Sequence, residues 1–315
     1  MKRATLILAL PVATVVLYVF FVEPLWVVPL LEKMTPNILY RVKTKEPVVA
    51  LSFDDGPNAE FTPQVLELLK ENDAKATFFL IGERAERHPE LVRRILAEGN
   101  EVGNHWCRDG SVLLQSDEKF LEGLERTERA IEQAPTPEGP TPKMAPFLLE
   151  DSSKGRRYTG LELGKDPGSP TGSGQALSES GARSEEKTRT LKTEACGTRS
   201  KTEELDQPCL QRFFRPPGGV ARPGELRLAK EHGYTSVLGC AYPHDPMKTP
   251  VWYQRWLIEK NLAPGTIVIL HDGIKDPTRS VETLRQILEE GKRRGFKFVS
   301  IGELVEKSDG EAGKE

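Results

Sequence analysis

From residue 48 onward, seven short apolar runs alternate with amphipathic stretches, and that rhythm predicts the fold. The runs are 48–53, 76–81, 101–105, 213–216, 235–240, 266–271 and 297–301, rich in β-branched and aromatic residues and bounded by breakers, as buried strands are. Between them, 63–71, 89–98, 117–132, 223–231, 250–261 and 280–294 carry apolar residues at helical spacing. Pro63, Pro89 and Pro223 sit near helix starts, where a missing amide hydrogen does no harm. Strand–helix alternation predicts parallel strands joined by right-handed crossovers. The expected fold is α/β, a distorted, incomplete (β/α) barrel of about seven parallel strands.

Two stretches break this rhythm. Residues 134–206 are rich in Pro, Gly, Ser, Thr, Glu and Lys, with Phe147 and Tyr158 as the aromatics. Such a segment cannot bury enough apolar area to offset its ordering entropy, so disorder is expected. Because it falls between a helix and a strand, it interrupts the domain spanning 45–305 without breaking its core. At the other end, residues 4–22 carry no charge and are long enough to cross a bilayer, after Lys2 and Arg3. We expect residues 1–31 to form a signal-anchor with a transmembrane helix, the remainder lying on the lumenal or extracellular side. Cleavage and secretion is the alternative, with Phe20-Phe21-Val22-Glu23-Pro24 a poor cleavage site. The tail 307–315 is polar and expected to fray.

Composition narrows the function. A formal charge of −3 gives no electrostatic case for nucleic acid as a partner. The four cysteines show no Cys-x-x-Cys spacing, which argues against a thiolate zinc site. Cys107 and Cys240 are expected as packed thiols, a disulfide between them being the alternative. Trp252 and Trp256, one helical turn apart, are expected in the core, and His232 and His244 at the surface.

The candidate chemistry lies at the strand ends. The first run stops at Asp54-Asp55-Gly56-Pro57, where two like charges repel unless a cation sits between them; a solvated turn is the competing reading. His105 and Asp109 follow the third strand, Arg215 ends the fourth, 242–245 follow the fifth, and His271-Asp272 close the sixth. In a (β/α) barrel those C-terminal ends form one rim, where active sites gather.

In this order, Asp54-Asp55-Gly56-Pro57, His105…Asp109, Arg215-x-Pro217-x-Gly219 and Ile269-x-His271 resemble the motifs of the polysaccharide deacetylases of the NodB-homology family. The resemblance covers roughly 45–305 apart from the insertion. It implies a metal-dependent hydrolase acting on linear amides, removing N-acetyl groups from polymers or oligomers of N-acetylglucosamine, chitin-like or peptidoglycan-like. By position, Asp55, His105 and Asp109 would bind one divalent ion, zinc first, with cobalt or manganese as alternatives. Asp54 would be the base and His271 the acid. Arg215 would orient Asp54, with Pro217, Gly218, Gly219 and Asp245 as supporting or substrate-binding residues; the Gly218 amide would face the oxyanion.

The chain also departs from the pattern. The usual His-Ser/Thr-x-x-His becomes His105-Trp106-Cys107-Arg108-Asp109, which exchanges the last ligand for a carboxylate and loses a supporting hydroxyl. Gly218 stands where an aromatic wall of the sugar cleft is usual. The fourth motif, Asp-x-x-Asp-Trp, reads Tyr242-Pro243-His244-Asp245-Pro246, keeping only the second aspartate. An O-acetyl esterase on a glycan such as xylan, and a glycan-binding pseudoenzyme with a weakened cleft, are therefore the rival readings.

Overall fold

The computed structural model describes residues 18, 21–134, 212–273 and 278–308, and the backbone of 148–151 and 156–159. Most of the uncharged 4–22 stretch, most of the 134–206 insertion and the end of the tail lie outside the described residues. Among the described residues no helix is long and apolar enough to cross a membrane.

The framework is a parallel sheet. Strands β1 (Ile38–Leu39), β2 (Val48–Gly56), β3 (Ala76–Leu80), β4 (Glu101–Asn104), β7 (Arg212–Phe214), β8 (Tyr234–Val237), β9 (Ile267–His271) and β10 (Lys297–Val299) pair in the order β1-β8-β7-β4-β3-β2-β10, and β9 also pairs with β2. Every pairing in it is parallel. The curl nearly closes beyond β8, where Ala241 bridges Val268 of β9 and Ile269 donates to the Ala241 carbonyl at 2.9 Å. All seven expected strands are present, in a distorted barrel with a two-residue strand at its edge. Within the stretch expected to be disordered, β5 (Leu148–Asp151) and β6 (Arg156–Thr159) instead pair antiparallel as a two-stranded unit.

The α-helices whose bounds are described are α1 (Val28–Met34), α2 (Thr62–Glu71), α3 (Gly82–Arg87), α4 (Pro89–Ala97), α5 (Asp117–Glu132), α6 (Pro223–Glu231), α7 (Val251–Asn261), α8 (Thr278–Arg293) and α9 (Ile301–Glu306). Pro63, Pro89 and Pro223 all fall at first or second helical positions. β2 is buried along nearly its whole length, as an unalternating apolar run requires in a covered parallel sheet. Its outer side chains Val49, Leu51 and Phe53 pack with Leu66 and Leu69 of α2 and Leu284 and Ile287 of α8. Ala50 faces the barrel interior with Phe79, Phe213 and Ile267.

Candidate active site

The carboxylate pair owes its geometry to a bulge. Consecutive residues of a regular strand point to opposite faces, so Asp54 and Asp55 could not serve one site from an ideal β2. The register of β2 against β3 shifts between Phe53 and Gly56, and Asp55 adopts a left-handed φ of 66°, which turns both side chains toward one cleft. A non-glycine residue in that region stores strain, and such outliers concentrate where a side chain must be aimed.

Asp54 is buried and held by Arg215, whose Nη1 donates to Asp54 Oδ1 at 2.6 Å and to Ser52 Oγ at 2.9 Å. The guanidinium is itself buried, over the Phe79 ring at 4.1 Å, with Nε donating to the Val237 carbonyl. Burial disfavours its charge and the Asp54 carboxylate supports it, so the two ions depend on each other. Register then places the expected acid beside the expected base, because His271 of β9 is the partner of Asp54 on β2.

His271 leans on Asp245. Its Nδ1 lies 2.9 Å from Asp245 Oδ1, while Asp245 Oδ2 accepts the His271 backbone N–H and the Ser280 hydroxyl. Burial by itself would push the imidazolium down, but the charge and hydrogen bond of Asp245, aided by Asp54 and Asp55, outweigh it and hold His271 at about 9. With Nδ1 engaged, Nε2 is the nitrogen left for the cleft. The altered fourth motif thus retains the carboxylate that charges the histidine.

The three expected metal ligands do not assemble equally. His105 Nδ1 sits 2.8 Å from the Arg215 carbonyl, an acceptor, so that nitrogen carries a proton. Nε2 then faces Asp55 Oδ1 at 3.3 Å. Two acceptors in that position require either a proton on Nε2 or a cation between them, so the pair fits a divalent ion. Burial would raise the Asp55 carboxyl, but His105, His271 and Arg84 outweigh it and hold it at about 2, ionised throughout the useful pH range. Asp109 behaves differently. It borders the same cleft, but its side chain is 74% exposed and its Oδ2 pairs with Arg84 Nη2 at 2.9 Å. Among the described residues no three His, Cys, Asp or Glu side chains are close enough to hold a metal. Arg84, which engages Asp109, also grips the carbonyls of Asp55 and Gly273.

Trp106 has a local explanation. It too takes a left-handed φ, of 62°, with its N–H on Asn104 Oδ1 and its indole N–H on the Phe120 carbonyl. The ring lies on α5 at Gly123, where a Cβ would stand 1.9 Å from indole Nε1, so the tryptophan and the glycine require each other.

The cleft, about 770 Å³, is lined by Asp54, Asp55, His105, Arg215 and His271, together with Pro217, Gly218 and Gly219. Gly218, at φ 67°, leaves its side of the cleft without an aromatic wall. Tyr242 lines it as well, its ring 5.7 Å from that of His271.

The role of Glu23 and the burial of His244 and Asp272 escape sequence reasoning. Glu23 reaches the cleft, where its carboxylate accepts the Tyr242 N–H at 2.8 Å and faces His244 Nε2 at 3.4 Å. Burial pushes its carboxyl up to about 8. His244 is accordingly buried rather than at the surface, enclosed by Tyr242, Tyr253 and Phe21. Asp272 is also fully buried; it accepts the Thr62 hydroxyl at 2.5 Å, and burial raises its carboxyl to about 7. Trp252 and Trp256 are exposed, not in the core, because the inner face of α7 is carried by Gln254, Leu257, Ile258 and Asn261. Cys107 and Cys240 are buried free thiols, as expected.

Residues 41–159 match the family profile described as polysaccharide deacetylase. A peptidoglycan-N-acetylglucosamine deacetylase of Bacillus cereus is 30% identical over 273 residues, 86% of this chain and 94% of that protein. The chain belongs to the polysaccharide deacetylase family. Solved structures agree on the fold of this deacetylase. A peptidoglycan N-acetylglucosamine deacetylase superposes with a TM-score of 0.60 at 22% identity, over 86% of this chain and 94% of the other. A family 4 pseudoenzyme from Bacillus anthracis superposes at 0.57 with 20% identity, over 85% and 69% of the two chains.

Proposed function

We propose that this deacetylase hydrolyses the N-acetyl group of N-acetylglucosamine units in a chitin-like or peptidoglycan-like glycan, yielding acetate and a free amine. The observation that carries the reading is the pair of opposed proton-transfer dyads, Arg215–Asp54 and Asp245–His271, whose Asp54 and His271 are register partners on the adjacent strands β2 and β9. Asp54 presents the oxygen not engaged by Arg215 to an incoming water and takes its proton. His271, charged at neutral pH, returns a proton from Nε2 to the departing nitrogen as the carbon–nitrogen bond breaks. Asp55 and His105, joined by Asp109 once it leaves Arg84, would hold a divalent ion, zinc first. When bound, that ion supplies polarisation of the acetyl carbonyl and an acidified water. Supporting a membrane location is the uncharged 4–22 segment, which would tether the domain on the lumenal or extracellular side.

Acetate release from N-acetylchitooligosaccharides, absent in Asp54→Asn and after chelation, is the expected result. Activity on acetylxylan alone would replace the amidase with the esterase. The outward Asp109 favours, as a second reading, a glycan-binding chain without turnover; binding unaffected by chelator with no acetate released would establish it.

A further inference from the structure

Two helices flank the point where the uncharged segment ends, and both turn apolar side chains to solvent. On the first, a 3-10 turn over Leu25–Val27 that runs directly into α1, Trp26, Leu30 and Met34 recur every fourth residue and are 65%, 54% and 69% exposed. The opposite face of that turn and of α1 is equally apolar, with Val28 packed on Tyr40 and Cys240 and with Leu31 lining the catalytic cleft. A short helix that is apolar on both faces has a buried side and a side that needs another covering.

The second helix is α7, where Trp252 and Trp256 are 71% and 42% exposed. Lys260 follows one turn later, its ammonium 5.6 Å from the Trp256 ring. Tryptophan with an adjacent lysine is the side-chain chemistry of the membrane–water interface, where the ring sits among headgroups and the ammonium reaches the phosphates.

The two stripes are fixed to the emerging chain. Three consecutive carbonyls, of Phe21, Val22 and Glu23, accept from the Tyr253 hydroxyl at 2.5 Å, the Lys260 ammonium at 3.0 Å and the Asn261 amide at 3.0 Å, all from α7. A chain leaving a bilayer at Val22 therefore has no slack before it meets both helices.

We propose that Trp26, Leu30 and Met34, with Trp252 and Trp256, form a surface that lies in the headgroup layer of a phospholipid bilayer and sets the catalytic cleft beside it. This rests on the reading of 4–22 as an anchor. The substrate reaching such a cleft is glycan at the membrane face, because one wall of the cleft is the helix whose outer side lies in the lipid.

The tryptophans supply the test, since the fourth, Trp106, is buried and serves as an internal reference. Full-length protein is reconstituted into vesicles of phosphatidylethanolamine and phosphatidylglycerol carrying bromine on the acyl chains near the headgroup. In Trp26→Phe protein, which still reports from Trp252 and Trp256, brominated lipid should quench about half of the emission, as expected for rings at the interface. Further replacement of Trp252 and Trp256 by Phe should abolish quenching while Trp106 still emits. Protein that stays with the vesicles through an alkaline carbonate wash, yet shows no quenching in Trp26→Phe, would overturn the surface and leave the anchor standing. Loss of the protein in that wash would remove the anchor, and the surface with it. Cross-linking of Trp256→Cys into a dimer, without quenching, would assign the stripes to a second copy of the chain.

Discussion

Replacing Asp245 by Asn is the sharpest probe of the acid. The substitution keeps volume but removes the charge that sits 2.9 Å from His271 Nδ1. His271 stands at about 9 against an ordinary 6.5, and the difference corresponds to roughly 3 kcal/mol of preference for the charged ring. Without the carboxylate, burial is opposed only by the smaller contributions of Asp54 and Asp55, and the imidazole should fall back to about 6.5 or below. At pH 7.5 the protonated fraction then falls from nearly complete to about a tenth, so turnover should drop about tenfold or more. Acidification should restore part of it. The assay is acetate release from an N-acetylchitooligosaccharide between pH 5.5 and 9.5, with Ser280→Ala as the companion variant. Ser280→Ala removes a hydrogen bond to the same carboxylate without changing charge, so its alkaline limb should stay near 9. The stability consequence follows in sign: because folding raises the His271 value, the dyad stabilises fully below pH 6.5 and the contribution fades as pH climbs through about 9. Melting temperatures of wild type and Asp245→Asn should accordingly differ most in acid and converge above that pH. An unchanged alkaline limb in Asp245→Asn would show that His271 is not the proton donor.

Other outcomes follow from the same geometry. Arg215→Met strands a buried Asp54 carboxylate and should cost about 3–5 kcal/mol of stability, read by denaturant titration, with acetate release abolished. Gly56→Ala places a Cβ 2.7 Å from Asp272 Oδ1; the overpacking should cost about 1–3 kcal/mol and reduce turnover by displacing the end of β2. Chelation should stop acetate release and zinc should restore it, whereas Asp55→Ala should retain less metal by elemental analysis and recover nothing on zinc addition.

The seven barrel strands were legible because buried parallel strands are continuous apolar runs, which single-sequence patterning reads well. α3 was not, since Gly82-Glu83-Arg84-Ala85-Glu86-Arg87 buries only a glycine and an alanine and so leaves no apolar period. The start of α9 reads as part of the last apolar run, although Ser300 and Glu303 form a capping box that marks the boundary. At the site, motif order located Asp54, Asp55, His105, Arg215 and His271, while contacts between distant segments stayed hidden. Nothing local pairs Thr62 with Asp272, or sends Glu23 to Tyr242 across more than 200 residues. The exposed tryptophans of α7 read as core because a stripe at helical spacing does not say which side of the helix the polar Gln254 and Asn261 will close. The exposed Asp109 pairs with Arg84, which lies on the same α3 that leaves no apolar period in the sequence.

Arg215 meets the rest of the site through two chemically separate handles. Its guanidinium holds the Asp54 carboxylate, and its main-chain oxygen steadies the imidazole of His105. Only the first can be lost by changing the side chain. A lineage that replaced this arginine would therefore forfeit proton abstraction while keeping the tether of His105, a one-residue path from an acetyl-cleaving chain toward one that merely holds its glycan.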